Sequence, residues 1–388
     1  MNKTKSLFSK YALLIVLVFV MLFFEVLLSI YNKGSIFSPE NLTNLISQNS
    51  YVVILATGML MCILTGGNID LSVGSIVILV GAVYGIFVVQ MGLNLYLSIV
   101  LCLIVAALIG AWQAFWIAYV NIPPFVVTLS GMLTFRGLAL VLMNSQSIGP
   151  FPDAFKNIFN SFLPGVGSDP ELVRNLSFIL AIAISMAFIA LQIVSRVNKI
   201  RKSYAVENIA SMAFRIVIIC AVVFFVFQRL GQHRGMPVML VILGAIVLFY
   251  SYFTQNTVPG RYLYAMGGNA EAARLSGINT KKMLFFAYTN MGFLAGITAL
   301  VCVARFNQAG TTAGTGYELE AIASCFIGGA SAYGGVGTVS GAVIGAVFMG
   351  VLNMGMSILG ADQNLQRVIK GLMLLAAVVF DQLSKNRK

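Results

Sequence analysis

Few side chains in this 388-residue sequence are of a type to do chemistry, and they fall in a handful of places. Asn68, Asp70 and Ser72 sit in the string TGGNIDLSVGS (Thr65–Ser75), between two apolar runs. Asp70 is the only acidic residue between Glu40 and Asp153. An amide, a carboxylate and a hydroxyl so spaced can bond the hydroxyls of a solute, or close the end of a helix starting near Leu71. Thr128, Ser130 and Thr134 follow the PPF turn, on an apolar run that also carries Arg136. An arginine there must face protein or water and have a partner, for which Glu25 is one choice. Asn307 opens the string NQAGTTAGTG, and Glu318 and Glu320 border it. The string reads as a mouth or gate, and the two glutamates as a surface for another protein or as plain solvated surface.

Gly268, Asn269, Glu271, Ala272, Arg274, Leu275, Ser276 and Gly277 form a motif of another kind. Asn269 is placed to cap a helix, the residues from Ala270 to Ser276 are mostly good helix formers, and Gly277 can end it in the left-handed conformation. Helices below roughly 12 residues rarely hold alone in water. Something must therefore hold this one, either a partner's groove or the chain's own membrane-embedded body.

These groups need positioning elements, and composition says what kind. Hydrophobic residues make up 59% of the chain and charged residues 9%, against about 25% charged in an ordinary soluble domain. Mean hydropathy is +0.93. The expected fold is an all-α polytopic membrane protein of 10–12 transmembrane helices, with broken or short helices near 65–75 and 328–345. Tyr51–Leu64 is too short to span. Gly328–Gly345 is too rich in glycine for an ordinary span, and reads as close helix packing or as a second discontinuous helix facing the first. Lys370, like Arg136, falls within a span. The N-terminal apolar run Tyr11–Ile30 has no A-x-A-like site after it and reads as a retained span, not a leader.

The formal charge is +12. Most basic residues cluster in the gaps near 196–202, 261–282 and at the two ends, which by the positive-inside rule places both termini in the cytoplasm and makes the longest basic-side loop 257–282. No exposed domain exists to bind nucleic acid. The five cysteines lie in or beside apolar runs, and His233 is the single histidine. A metal cluster, a Ser-His-Asp triad and hence an intramembrane enzyme are disfavoured. No G-x-x-x-x-G-K-[ST] string occurs, so any ATP-driven role needs its ATPase on another chain.

Four strings in this order then carry a resemblance: GGNIDLSVGS (Gly66–Ser75), NIPPFVVTLSGMLTFRGLAL (Asn121–Leu140), GRYLYAMGGNAEAARLSGIN (Gly260–Asn279) and FIGGASAYGGVGTVSGAVIGA (Phe326–Ala346). The chain resembles the permease subunits of bacterial ABC importers for monosaccharides, of the ribose, xylose and galactoside type, and most of all the xylose and multiple-monosaccharide permeases. The resemblance runs from about residue 40 to the C-terminus. It implies a single permease domain over 1–388, an added helical hairpin at 173–227 and a cytoplasmic coupling loop at 257–282. It implies a bacterial inner-membrane, multi-pass transport subunit that is not an enzyme. The partners it implies are an ABC ATPase subunit, a periplasmic or lipoprotein sugar-binding protein, a second permease copy and membrane lipid. The chain itself binds no cofactor, and ATP and Mg belong to the partner ATPase. The Gly268–Gly277 stretch becomes the ATPase-coupling segment. Asn68, Asp70, Ser72, Thr128, Ser130, Thr134, Arg136 and Asn307 become candidates for the translocation path, and Glu318 and Glu320 for binding-protein docking. A permease for nucleosides or branched-chain amino acids, or an ion-coupled secondary transporter, is the alternative.

Overall fold

The computed structural model describes residues 3–165, 169–204, 206 and 208–385. Of the basic residues that set the expected inner side, Arg387 and Lys388 lie outside the described residues. The first helix, α1 (Lys3–Ile30), packs at the edge, with 11% of its Leu13–Ile30 window buried. The Ser38 hydroxyl accepts from the Asn41 amide at 3.2 Å and starts α2 (Pro39–Gln48). Asn49 bends the chain by 40° into α3 (Ser50–Leu64). The short apolar run at 51–64 is thus the second half of a broken span, and its first half lies in a stretch whose polarity hides it in the sequence.

A non-helical return, Thr65–Ser72, leads to α4 (Val73–Gly85), which ends in a π-helical turn at Ile86–Gln90. Then come α5 (Leu95–Ala118), begun by the Asn94 side chain, and α6 (Pro124–Leu142), begun by proline at the position where no amide is needed. A loop carrying α7 (Asp153–Asn160) and the strand β1 (Phe162–Leu163) precedes the hairpin of α8 (Pro170–Arg201) and α9 (Ile209–Gly231). β1 pairs antiparallel with β2 (Met236–Pro237), which ties that loop to the start of α10 (Val238–Asn256). Two short helices follow, α11 (Val258–Gly268) and α12 (Ala270–Leu275), then α13 (Thr280–Phe306), the half-length α14 (Tyr317–Ile327), α15 (Val339–Leu359) and α16 (Gln363–Lys385).

Among the described residues nine helices are long and apolar enough to cross a membrane, or up to ten if the bent α2–α3 pair is one span. The range of 10–12 is reached at its lower end only. The shortfall has two causes: α14 has 11 residues, and α16 carries Arg367, Lys370 and Asp381.

Burial sorts the helices. Every residue of α3 from Val52 to Leu64 is buried, and so is 72% of the best window of α13, whereas none of that of α9 is. A helix apolar all round is a core element in a membrane protein only where neighbours replace lipid, and packing then depends on small residues. Gly110 of α5 and Gly292 of α13 provide this. A Cβ on Gly292 would stand 2.5 Å from the Ala106 carbonyl oxygen and 2.7 Å from the Gly110 Cα. Any larger residue there forces the two backbones apart.

Candidate functional site

The two expected breaks exist, and they touch. The first runs from Thr65 to Ser72, the second from Gly328 to Thr338; Gly341 and Gly345 are already helical in α15. The Gly335 amide donates to the Leu64 carbonyl at 3.2 Å. A Cβ on Gly67 would lie 2.0 Å from the Ala332 carbonyl oxygen, and one on Gly334 2.5 Å from the Gly66 Cα. A third segment joins them: a Cβ on Gly267, at the end of α11, would lie 2.1 Å from both the Gly335 nitrogen and the Leu64 oxygen. The breaks therefore meet edge to edge, without an open route between them, and the chain leading into α12 is wedged at their junction. Tyr264 of α11 adds a hydrogen bond to the Gly337 carbonyl at 2.9 Å.

α12 forms as its sequence predicts. The Asn269 side chain accepts from the Ala272 amide at 2.9 Å, and Gly277 ends the turn at φ +87°. Ala273 is buried against the body of the molecule, while Gly268, Asn269, Glu271, Ala272, Arg274, Ser276 and Gly277 are exposed. Leu275 is 75% exposed. The Arg274 guanidinium donates to Glu271 at 2.6 and 3.0 Å and holds that carboxyl below its ordinary range. An ion pair so exposed contributes little to stability. Of the two alternatives for what holds the helix, the chain's own body takes part through Ala273, and Leu275 is left exposed.

Asp70 is fully buried. Its Oδ1 accepts from the Ser72 amide at 2.8 Å and the Ser72 hydroxyl at 2.6 Å, a local turn at the entry to α4. Gln113 of α5 donates to that same hydroxyl at 2.7 Å. Asp70 Oδ2 and Gln113 Oε1 have no hydrogen-bond partner among the described residues. Asn68 turns back to the Thr65 hydroxyl at 3.1 Å. Thr128 is buried and donates to the Pro124 carbonyl at 2.9 Å, whereas Ser130 and Thr134 are exposed on α6.

Arg136 is not paired with Glu25. Its guanidinium donates to the Thr315 hydroxyl at 3.0 Å and faces the Glu318 carboxylate, while Glu25 accepts the Ile36 amide at 2.9 Å. Asn307 takes the left-handed conformation at φ +55°, and its side chain accepts the Phe151 amide at 2.9 Å, so it pins the 144–163 loop beside the Ile148–Ala309 bridge. Glu318 is half-buried against Gly74. Glu320 is 5% exposed, and its carboxylate takes hydrogen bonds from Tyr51, Asn353 at 3.2 Å and Lys370 at 2.5 Å. That leaves it little surface to offer a docking protein. Tyr51, Asn353 and Gln113 are functional candidates that the sequence does not flag, since a neutral polar residue in an apolar run has no distinctive signal. Lys370 does carry one, the same in-span charge that marks Arg136.

Comparison with known proteins sets this geometry in a family. The family model for the permease component of branched-chain amino acid transport systems matches residues 41–378. The xylose transport system permease protein XylH of Escherichia coli is 37% identical over 356 residues, which cover 91% of this chain and 88% of that protein. XylH of Haemophilus influenzae is 33% identical over 388 residues, the whole of both chains. The ribose import permease protein RbsC of Escherichia coli is 32% identical over 345 residues, covering 89% of this chain and 86% of that one. No solved structure matches the chain.

Proposed function

The chain belongs to the family of branched-chain amino acid transport system permease components, and on that premise we propose that it is the membrane-crossing subunit of an ATP-driven sugar importer. The relatives named for xylose and ribose make a pentose the favoured cargo. In this reading an external binding protein delivers the sugar, a second copy of the chain completes the conduit, and a separate ATPase supplies the work. The subunit sits in the bacterial inner membrane with both termini in the cytoplasm.

One observation carries the mechanism: α12 stands exposed directly beside the point where both broken helices meet. A push on α12 is passed through Gly267 to Gly335, in the second break, and to Leu64, the last residue of α3 before the first. Contacts this close cannot be compressed, so the breaks must move with the knob or separate. Gly268, Asn269, Glu271, Ala272, Arg274, Leu275, Ser276 and Gly277 are assigned to the ATPase, with Leu275 as the apolar anchor and the Glu271–Arg274 pair at its rim. Nucleotide binding needs only to shift a balance between two arrangements of the breaks.

The path is assigned to the first break (Asn68, Asp70, Ser72) and to the face of α6 that carries Ser130 and Thr134, with Thr128 turned inward above them. Two hydroxyls one turn apart on an exposed membrane face suit a water-lined cleft between copies better than lipid. Arg136, on a different face of α6, and Asn307 hold the loop at the outer mouth. Glu318, more than Glu320, is left to meet the binding protein.

The test is to replace Leu275 with Asp and Arg274 with Glu. Co-purification of the ATPase and sugar uptake should both fall at least tenfold in each. Normal uptake with normal co-purification would overturn the coupling assignment. A reagent reaching Leu275→Cys only from outside the cell would overturn the orientation. Thermal-shift screening of the cognate binding protein against pentoses and hexoses decides the cargo.

A further inference from the structure

The hairpin of α8 and α9 takes no part in the function proposed above, and its two halves are built differently. Its buried residues all lie toward one end: Val173, Ser177, Ala181 and Ser185 of α8, and Phe227, Leu230 and Gly231 of α9. There it is attached to the rest of the chain. The Phe225 ring meets Phe37 at 5.9 Å between centroids, and a Cβ on Gly235 would stand 2.5 Å from the Leu163 carbonyl oxygen. Past Ser185 on α8 and before Phe227 on α9, no described residue is buried. That half is left uncovered by the rest of the chain.

The attached end is the one away from α12. α8 follows α7, and Asn160 at the end of α7 donates to the Ala304 carbonyl at 2.7 Å, near the last residues of α13. α13 begins beside α12, so α8 starts on the opposite side and crosses toward it. The turn that joins α8 to α9 falls on the side of α12, the inner side in the orientation proposed above.

Length and charge say what meets that turn. Between Arg174 and Arg196, α8 carries no charged residue. At 1.5 Å per residue this stretch covers about 31 Å, against about 30 Å for the hydrocarbon core of a bilayer. Arg196 therefore stands at the edge of the hydrocarbon, and Lys199, Arg201 and Lys202 follow within about 10 Å, at or just past the depth of the headgroups. From Arg196 to Arg215 the sequence holds five basic residues and one acid, Glu207, which lies outside the described residues. Arg215 donates to Gln192 at 3.0 Å across the seam between the two helices. Lys199, Arg201 and Lys202 are exposed, and so are Val197, Ile200, Tyr204 and Ile209 among them. Cations interleaved with apolar side chains suit the boundary of a bilayer. There Lys and Arg reach phosphates while aliphatic and tyrosine side chains rest in the upper acyl region.

We propose that the tip of this hairpin is a docking surface for the anionic phospholipid headgroups of the inner leaflet. Lys199, Arg201 and Lys202 bind the phosphates, and Ile200, Tyr204 and Ile209 seat the tip. Lipid thus supplies at this end the hold that the rest of the chain supplies at the other. The surface needs only a chain that spans a bilayer in this orientation. It depends neither on the cargo nor on the coupling role of α12.

The test uses the full chain in nanodiscs, with and without its ATPase. Among the described residues Cys220 is the only cysteine that is not buried. A Cys220→Ser, Ser203→Cys protein therefore takes a nitrobenzoxadiazole label at the exposed turn after α8. In dilute salt, doxyl-labelled phosphatidylglycerol should quench it with about tenfold preference over doxyl-labelled phosphatidylcholine, since each basic residue near an anionic surface is worth up to about fivefold. The preference should vanish in about 0.5 M salt, and in the triple variant Lys199→Gln, Arg201→Gln, Lys202→Gln. It should persist in Lys281→Gln, Lys282→Gln, which removes exposed charge from the start of α13. The salt arm leaves the basic residues in place and decides the question if the triple variant fails to fold. Equal quenching by the two lipids in dilute salt would overturn the proposal. So would a preference that survives the triple variant, or one that Lys281→Gln, Lys282→Gln also removes, which would make it the field of the whole inner face. Quenching that disappears when the ATPase binds would assign the tip to that protein instead.

Discussion

Thr65–Ser72 and Gly328–Thr338 interrupt two helices at one level of the molecule and rest on each other, yet they are held by different forces. The first is tied down by side chains: Asp70 on Ser72, Ser72 on Gln113, Asn68 on Thr65. The second is tied at its edge to its neighbours: the Ala332 amide donates to Asp381 of α16 at 3.2 Å, the Tyr333 hydroxyl to Gln382 of α16 at 3.0 Å and the Tyr264 hydroxyl to the Gly337 carbonyl at 2.9 Å. It is shaped by Gly329, Gly334, Gly335 and Gly337, all at positive φ, and by backbone contacts with its neighbours. Side-chain networks specify one geometry and are costly to break part-way. Glycine-on-backbone contacts specify a distance and little else. In the proposed mechanism the first break, whose Asp70–Ser72–Gln113 ties are buried, is the fixed member, and the second, whose ties to α16 are part-buried or exposed, moves against it.

The largest effect should come from removing the clearance between them. Gly267→Ala puts a methyl group 2.1 Å from two backbone atoms, while a Cβ on neighbouring Gly268 meets nothing within 4 Å. Gly267→Ala should cost roughly 2–4 kcal/mol and abolish uptake, and Gly268→Ala should cost under about 1 kcal/mol. Thermal unfolding and uptake of the pair decide it; equal behaviour would mean that the junction is not tight.

Next comes the fixed member. Asp70→Ala removes the acceptor of two hydrogen bonds and should lower stability by about 2–3 kcal/mol. Asp70→Asn keeps an acceptor oxygen and should cost under about 1 kcal/mol, with uptake retained. Uptake lost in a stable Asp70→Asn protein would transfer Asp70 from a structural role to solute or ion contact. Gln113→Leu sharpens the same point: it should lower folding stability by roughly 1 kcal/mol, read from the shift of the unfolding midpoint.

The smallest effect concerns the knob. Glu271→Gln breaks a pair whose side chains are 62% and 65% exposed. Folding stability should stay within the measurement error of thermal unfolding. ATPase co-purification should weaken a fewfold, and more at low salt than at high. A stability loss above that limit would show that the pair braces α12 from within.

Sequence legibility follows the range of the interactions. Asn269 and Gly277 mark α12 to the residue, because caps are made within four positions of the chain. The breaks were also visible, since glycine and an acid cannot sit in lipid-exposed helix. What the breaks face was not. Gly67 against Ala332 and Gly267 against Gly335 join residues far apart in the chain, and no local pattern announces them. Arg136 illustrates the limit: its need for a partner was legible, but Glu25 was the wrong choice and Thr315 the right one. Glu320 looked like surface because it adjoins a polar loop, and the fold buries it under Lys370.

Composition and periodicity alone determined that this chain crosses a membrane many times, because 59% hydrophobic residues leave no surface for water. Four local strings determined the kind of transport subunit it resembles. The tertiary structure alone decided which glycines touch and which charges pair. Those outcomes depend on close packing between distant segments, where a few tenths of an ångström separate contact from clash.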